Sequence, residues 1–85
     1  MMKLSETVEM MNSTDYKERF RAEYFQLKIR ANGLKSMLEK WDKGELEFNP
    51  TCPREVFDEQ LKYMMNYMTV LIDRACREHI DLSEN

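Results

Sequence analysis

Residues 15–44 read DYKERFRAEYFQLKIRANGLKSMLEKWDKG. Within them Phe20, Tyr24, Leu27, Ala31, Leu34, Leu38 and Trp41 recur at alternating steps of four and three. That spacing draws one apolar stripe along a helix, at the period of a coiled-coil-like seam. Asp15 stands at the start, with Glu18 three residues on, which is the capping-box spacing with Asp in place of Ser or Thr. Lys40 and Lys43, followed by Gly44, mark the other end: cations for the negative pole of the helix, then a residue free to turn left-handed. Asn32-Gly33 interrupts the run. An interior glycine costs about 1 kcal/mol against alanine, so Gly33 marks either a bend or a close approach by another helix.

Downstream the same rhythm returns in Phe57, Leu61, Met64, Met68, Leu71 and Ala75. Thr51-Cys52-Pro53 opens this second helix, with Pro53 expected in its first turn, where no N–H is needed. The helix is expected to fray near His79. Between the two helices, Leu46 and Phe48 are expected to fold over the hairpin end, and Asn49-Pro50 is a turn signal. A link this short makes the helices antiparallel neighbours. Setting Trp41 beside Phe57 pairs Leu38 with Leu61, Leu34 with Met64, Ala31 with Met68, Leu27 with Leu71 and Tyr24 with Ala75. Large residues meet small ones twice, as close packing requires. At about 1.5 Å per residue the hairpin would be about 40 Å long.

The chain is therefore read as all-α: an antiparallel two-helix hairpin over residues 14–80, an N-terminal tail or short helix over 1–13, and a polar tail over 81–85. In the N-terminal segment Leu4, Val8 and Met11 would line one side of a short helix. Only 2 Gly and 2 Pro occur among 85 residues, and 34% are charged, a composition that suits long amphipathic helices. No stretch approaches the roughly 20 apolar residues needed to span a bilayer. The opening Met1–Glu6 lacks the apolar run of a signal sequence, so Cys52 and Cys76 are expected as free thiols in a reducing cytoplasm.

A domain of this size buries only about 60% of its unfolded surface and needs a staple or a partner. The sequence supplies surface for one. Val56, Gln60, Tyr63, Tyr67, Val70 and Arg74 form a second stripe on helix two, with Met65, Ile72 and Cys76 on the other flank. Ala22, Phe25, Ile29 and Ser36 form another stripe on helix one. A hairpin alone cannot cover all of this, and the N-terminal segment would cover only part. The remainder is expected to meet other copies of the chain, as a homo-oligomer.

The net charge of -3 disfavours binding to duplex nucleic acid. No catalytic constellation is present in the sequence. The single histidine, His79, follows Cys76 by three residues at a helix end, where a capping role is the simpler reading. Neither a four-ligand zinc pattern nor a Gly-rich phosphate loop occurs. The chain is accordingly read as a non-enzyme without cofactor or metal. Three features suit ligand binding. Thr51 and Arg54 stand at the start of helix two, where free N–H groups and a guanidinium favour an anion. Tyr63 and Tyr67, with Gln60 and Arg74 on the same stripe, offer aromatic faces for bases and a cation for phosphate. Tyr16 and Arg19 form a basic, aromatic opening to helix one. Each also has a structural reading: capping, an oligomer interface, and a solvated helix face.

The order Tyr16-Lys17-Glu18-Arg19-Phe20, Glu23, Leu27, Leu34, Leu38, Thr51-Cys52-Pro53, Gln60, Met64, Tyr67, Leu71, Arg74-Ala75 resembles short helical-hairpin proteins of bacteriophages and prophages of gut bacteria, including crAss-like phages. More distantly, these are similar in architecture to the hairpin domain of phage anti-CBASS and anti-Thoeris sponges. That resemblance implies an oligomer, often a hexamer, that sequesters a cyclic oligonucleotide or cyclic ADP-ribose signal between subunits in the cytoplasm of the bacterial host. It carries no ligand residues across to this chain. A protein-binding inhibitor or adaptor, docking through the surplus apolar face, is the reading from another class. Eight methionines suit such adaptable contacts.

Overall fold

The computed structural model describes residues 2–84. Met1 of the N-terminal segment and Asn85 of the tail lie outside the described residues. Within them the chain is helical and without strands: a 3-10 turn, Leu4–Thr7, runs into α1, Val8–Met11, followed by α2, Tyr16–Asp42, and α3, Arg54–Glu78. The longest dimension is 43 Å. Among the described residues no helix is long and apolar enough to cross a membrane.

α2 begins where its cap signal stands. The Asp15 carboxylate accepts a hydrogen bond from the Lys17 backbone N–H at 2.9 Å, while Glu18 pairs with Arg21 rather than reaching back to complete a box. The helix runs unbroken through Gly33, and among the described residues nothing beyond its own local backbone lies within 4 Å of where a Cβ would stand there. Gly33 is therefore not packed against a second helix of the same chain. Gly44, at φ 71°, turns the chain out of α2 as expected.

α2 and α3 run antiparallel, because contacts join the start of each to the end of the other. At the connection end Trp41 meets Phe57 edge-on, ring centroids 6.0 Å apart. At the opposite end Tyr16 donates to Glu78 at 2.9 Å. Tyr24, Leu27, Met68, Leu71 and Ala75, which the seam pairing brings together, share one core cluster. Ala31 and Leu38 continue the buried seam along α2.

Three details depart from the sequence reading. Pro53 sits one residue ahead of α3, in extended backbone at ψ 152°, and no side chain caps that terminus; the proline ring fixes φ and leaves the turn to start at Arg54. In the N-terminal segment Leu4, Val8 and Met11 are exposed, and the inward side is Thr7 with Met10. Thr7 is fully buried because its hydroxyl is satisfied twice, donating to the Leu4 carbonyl at 2.7 Å and accepting from Gln26 Nε2 at 3.0 Å. Beyond α3 the chain does not simply fray. His79 adopts the left-handed conformation, φ 56°, and the Ile80 N–H bonds back to the Ala75 carbonyl at 2.9 Å. This Schellman-type stop folds Ile80 into the core, with Leu82 packed beside it.

Candidate functional site

The sequence singled out Tyr16, Arg19 and Arg74 for separate reasons; the fold brings them together. Tyr16 and Arg19 lie one turn apart on α2, and Arg74 reaches them from α3. With Phe20 and Glu23 they line a shallow notch of about 190 Å³. Arg74 donates to the Tyr16 hydroxyl at 2.8 Å and to Glu78 at 3.3 Å, and its guanidinium lies 4.8 Å from the centre of the Phe20 ring. Tyr16 and Phe20 are themselves stacked, 6.3 Å apart. Arg19 donates to the Ser13 carbonyl at 2.8 Å and has no carboxylate within ion-pair distance among the described residues.

Tyr67 joins this group through Glu23, to which its hydroxyl donates. That hydrogen bond, then partial burial, then the nearby carboxylate charge push the Tyr67 phenol above its ordinary value, so it stays a neutral donor through the physiological range. Local charge is balanced: Glu23 and Glu78 stand against Arg19 and Arg74. An anion bound here would compete with Glu78 for Arg74.

Gln60 and Tyr63 are exposed nearer the start of α3 and do not line the notch. Tyr63 is about 16 Å from Arg74 along the helix axis, by helix rise. Together Val56, Gln60, Tyr63, Tyr67, Val70 and Arg74 form an exposed band; Tyr63 is 59% and Val70 55% accessible. Ile72 and Met65 are exposed on the other flank.

The Thr51–Arg54 feature lies at the far end of the hairpin, about 30 Å from Arg74 by helix rise. Its cation is occupied. Arg54 donates to Asp42 at 2.6 Å and Asp58 at 2.8 Å, and covers the Trp41 ring at 5.4 Å. The hydrogen bond from Arg54 holds the Asp42 carboxyl below its ordinary value. Thr51 makes no cap. These contacts form a clasp across the connection, and a guanidinium already held by two carboxylates is a poor grip for an anion. A wider hollow, about 560 Å³ between Gly33, Met37 and the 45–48 segment, is also at this end. Its one cation, Lys40, stands beside Glu45 and Glu47. Size thus favours the connection end, while the chemistry of stacking and phosphate binding favours the notch.

Sequence reasoning left Glu23, Phe20 and Glu78 out of the candidate residues. A signal for two of them was present: Phe20 and Glu23 follow Tyr16 at the helical spacings of four and seven, so all share a face. Cys52 and Cys76 are both exposed and free. No curated protein and no solved structure matches the chain. A family model does, and its span covers the notch residues on both long helices: the Sequestin model matches residues 14–77, and the chain belongs to the Sequestin family.

Proposed function

We propose that this protein is a phage-encoded sequestering protein. It holds a cyclic oligonucleotide or cyclic ADP-ribose type immune signal in pockets between subunits, in the cytoplasm of the infected bacterium, and releases it chemically unchanged. The observation that carries this reading is the convergence at the notch: two guanidinium groups, Arg19 and Arg74, beside the exposed ring of Tyr16, with Tyr67 held next to them. Cations for phosphate beside platforms for bases are what such a ligand requires. The family name supports retention of a ligand rather than its conversion, and the reading calls for no catalytic group, cofactor or metal.

The notch is too small to act alone. Small-molecule sites commonly enclose about 300–1,000 Å³, and a single subunit offers about 190 Å³ here. Assembly of subunits would supply the missing walls, and the exposed band on α3 is available for it. The test is equilibrium dialysis of the purified protein against cyclic dinucleotides, cyclic trinucleotides and cyclic ADP-ribose isomers. One class should be depleted from the free compartment and recovered intact after heat denaturation. Equal concentrations on both sides for every compound, or recovery of cleaved products, would refute the proposal.

The opposite flank of α3 favours a second reading. Met65 and Ile72, each 49% accessible, lie away from the notch, and adaptable apolar residues of this kind suit a protein partner. An adaptor would keep its partner when Arg74 is replaced by Ala and lose it on Ile72→Lys; the sequestering reading requires the reverse pattern with nucleotide.

A further inference from the structure

One anion already sits at the notch, and it belongs to the chain. The Glu78 carboxylate accepts from Arg74 Nε at 3.3 Å and from the Tyr16 hydroxyl at 2.9 Å, and Arg74 also donates to that hydroxyl at 2.8 Å. The three side chains close a ring of hydrogen bonds, and two of its members, Tyr16 and Arg74, line the notch. The two oxygens of one carboxylate thus rest on a guanidinium N–H and a phenol O–H. The same donor pair would grip two oxygens of a phosphate.

This resident carboxylate is weakly held, for three reasons. Glu78 is the last residue of α3, at the negative pole of its own helix, where a carboxylate is disfavoured. Arg74 precedes Glu78 by four residues, the less favourable order for an ion pair along a helix. Both side chains are partly exposed, so water and salt screen the pair. Arg54 is the opposite case, a guanidinium held by two carboxylates, one from each long helix.

We propose that Glu78 is a displaceable gate on the notch: it occupies the place of a phosphate group, and an anionic ligand enters by taking its two donors, Arg74 and Tyr16. Exchanging the carboxylate for one singly charged phosphate group leaves the charge beside Arg74 unchanged. A ligand therefore gains over Glu78 chiefly when a second phosphate reaches Arg19, the notch cation with no carboxylate in ion-pair range among the described residues. Linked phosphates are the chemistry this favours. The displaced carboxylate is partly exposed and takes up water instead. This inference rests on the notch being the ligand site, as the sequestering reading has it, and not on which base the ligand carries or on what closes the notch.

Calorimetric titration of the full chain with pyrophosphate at low salt tests the gate. Glu78→Gln should tighten binding by about two- to fivefold, the range an exposed ion pair supports, with helicity by circular dichroism unchanged. Glu84→Gln is the control for net charge, since Glu84 holds no ion pair among the described residues; it should leave the affinity nearly as it was. Arg74→Ala should weaken binding, and adding Glu78→Gln to it should change nothing more, because the two substitutions act through one contact. No binding of pyrophosphate by wild type and Glu78→Gln alike overturns the gate. So does equal tightening by Glu84→Gln, or a gain from Glu78→Gln that survives Arg74→Ala. A cyclic nucleotide retained in dialysis equally well by wild type and Glu78→Gln would also overturn the gate and leave the sequestering reading standing. Tighter pyrophosphate binding by Glu78→Gln with no nucleotide retained would sink that reading and leave the gate standing.

Discussion

The two ends of the hairpin are built from the same helical rhythm yet packed differently. At the end where the chain termini return, α1 and the tail after His79 close over Phe20, Tyr24, Phe25, Leu71, Ala75 and Ile80 in one buried cluster. At the connection end, the seam narrows to Trp41 against Phe57, the Arg54 clasp is largely solvated, and Phe48 is 55% accessible. Burial of apolar area is the main favourable contribution to folding, so most of the stability lies at the crowded end. The notch sits on that end. Its side chains thus stand on the most densely buried part of the molecule, which suits a site that must bind without rearranging. The connection end is fastened by charge and hydrogen bonds, which yield to pH and salt.

The contrast is sharpest for large buried side chains. Phe25 is 1% accessible, and Phe25→Ala should cost about 3–5 kcal/mol, a large share of the stability of a small domain. Phe48→Ala at the other end should stay within about 0.5 kcal/mol. Urea denaturation of the two variants checks this, and comparable losses would erase the distinction between the ends. Ile80→Ala comes next, with an expected loss of about 2 kcal/mol, because Ile80 is 8% accessible and closes the crowded end. A silent Ile80→Ala would mean that the tail does not return to the core.

Acid should act on the clasp first. The folded pKa of Asp42 lies below its ordinary 3.8, so ionised Asp42 favours the folded state. That contribution is complete above the unfolded value and is lost as pH falls through the folded one. Below pH 3.8 amide exchange should rise around the connection before it rises in the crowded cluster, and Asp42→Asn should remove that early step. The smallest effect concerns His79. A left-handed conformation costs a non-glycine residue about 1–2 kcal/mol, part of which is offset by the extra freedom of an unfolded glycine. His79→Gly should therefore stabilise the crowded end by about 0.5–1 kcal/mol, read from thermal unfolding.

The long helices were legible in the sequence because their signals are local. Asp15, Gly44 and the four-three rhythm fix ends and faces without reference to anything distant, and setting Trp41 beside Phe57 needed only that rhythm and the short link. What escaped depends on contacts far apart in the chain. Asp81, Ser83 and Glu84 make the tail read as polar, and only the left-handed turn at His79 delivers Ile80 and Leu82 to the core. Thr7 points inward because Gln26 is there to satisfy it, which no local pattern announces; the more apolar Leu4, Val8 and Met11 face out. The site divides in the same way. Tyr16, Arg19, Tyr67 and Arg74 could be named as useful residue types, but their meeting at one notch depends on the packing of α2 on α3. Arg54 looked available because its partners, Asp42 and Asp58, lie on different helices and only the closed hairpin brings Asp42 to it.

The most direct test of the central claim is native mass spectrometry of the wild-type protein and of Arg74→Ala, each alone and with the same set of cyclic nucleotides and cyclic ADP-ribose isomers. The account predicts an assembly that gains discrete ligand masses, intact on release, and an Arg74→Ala protein of the same subunit number that stays bare. A wild-type assembly that gains no mass from any compound, or an Arg74→Ala protein that binds as well as wild type, would contradict it.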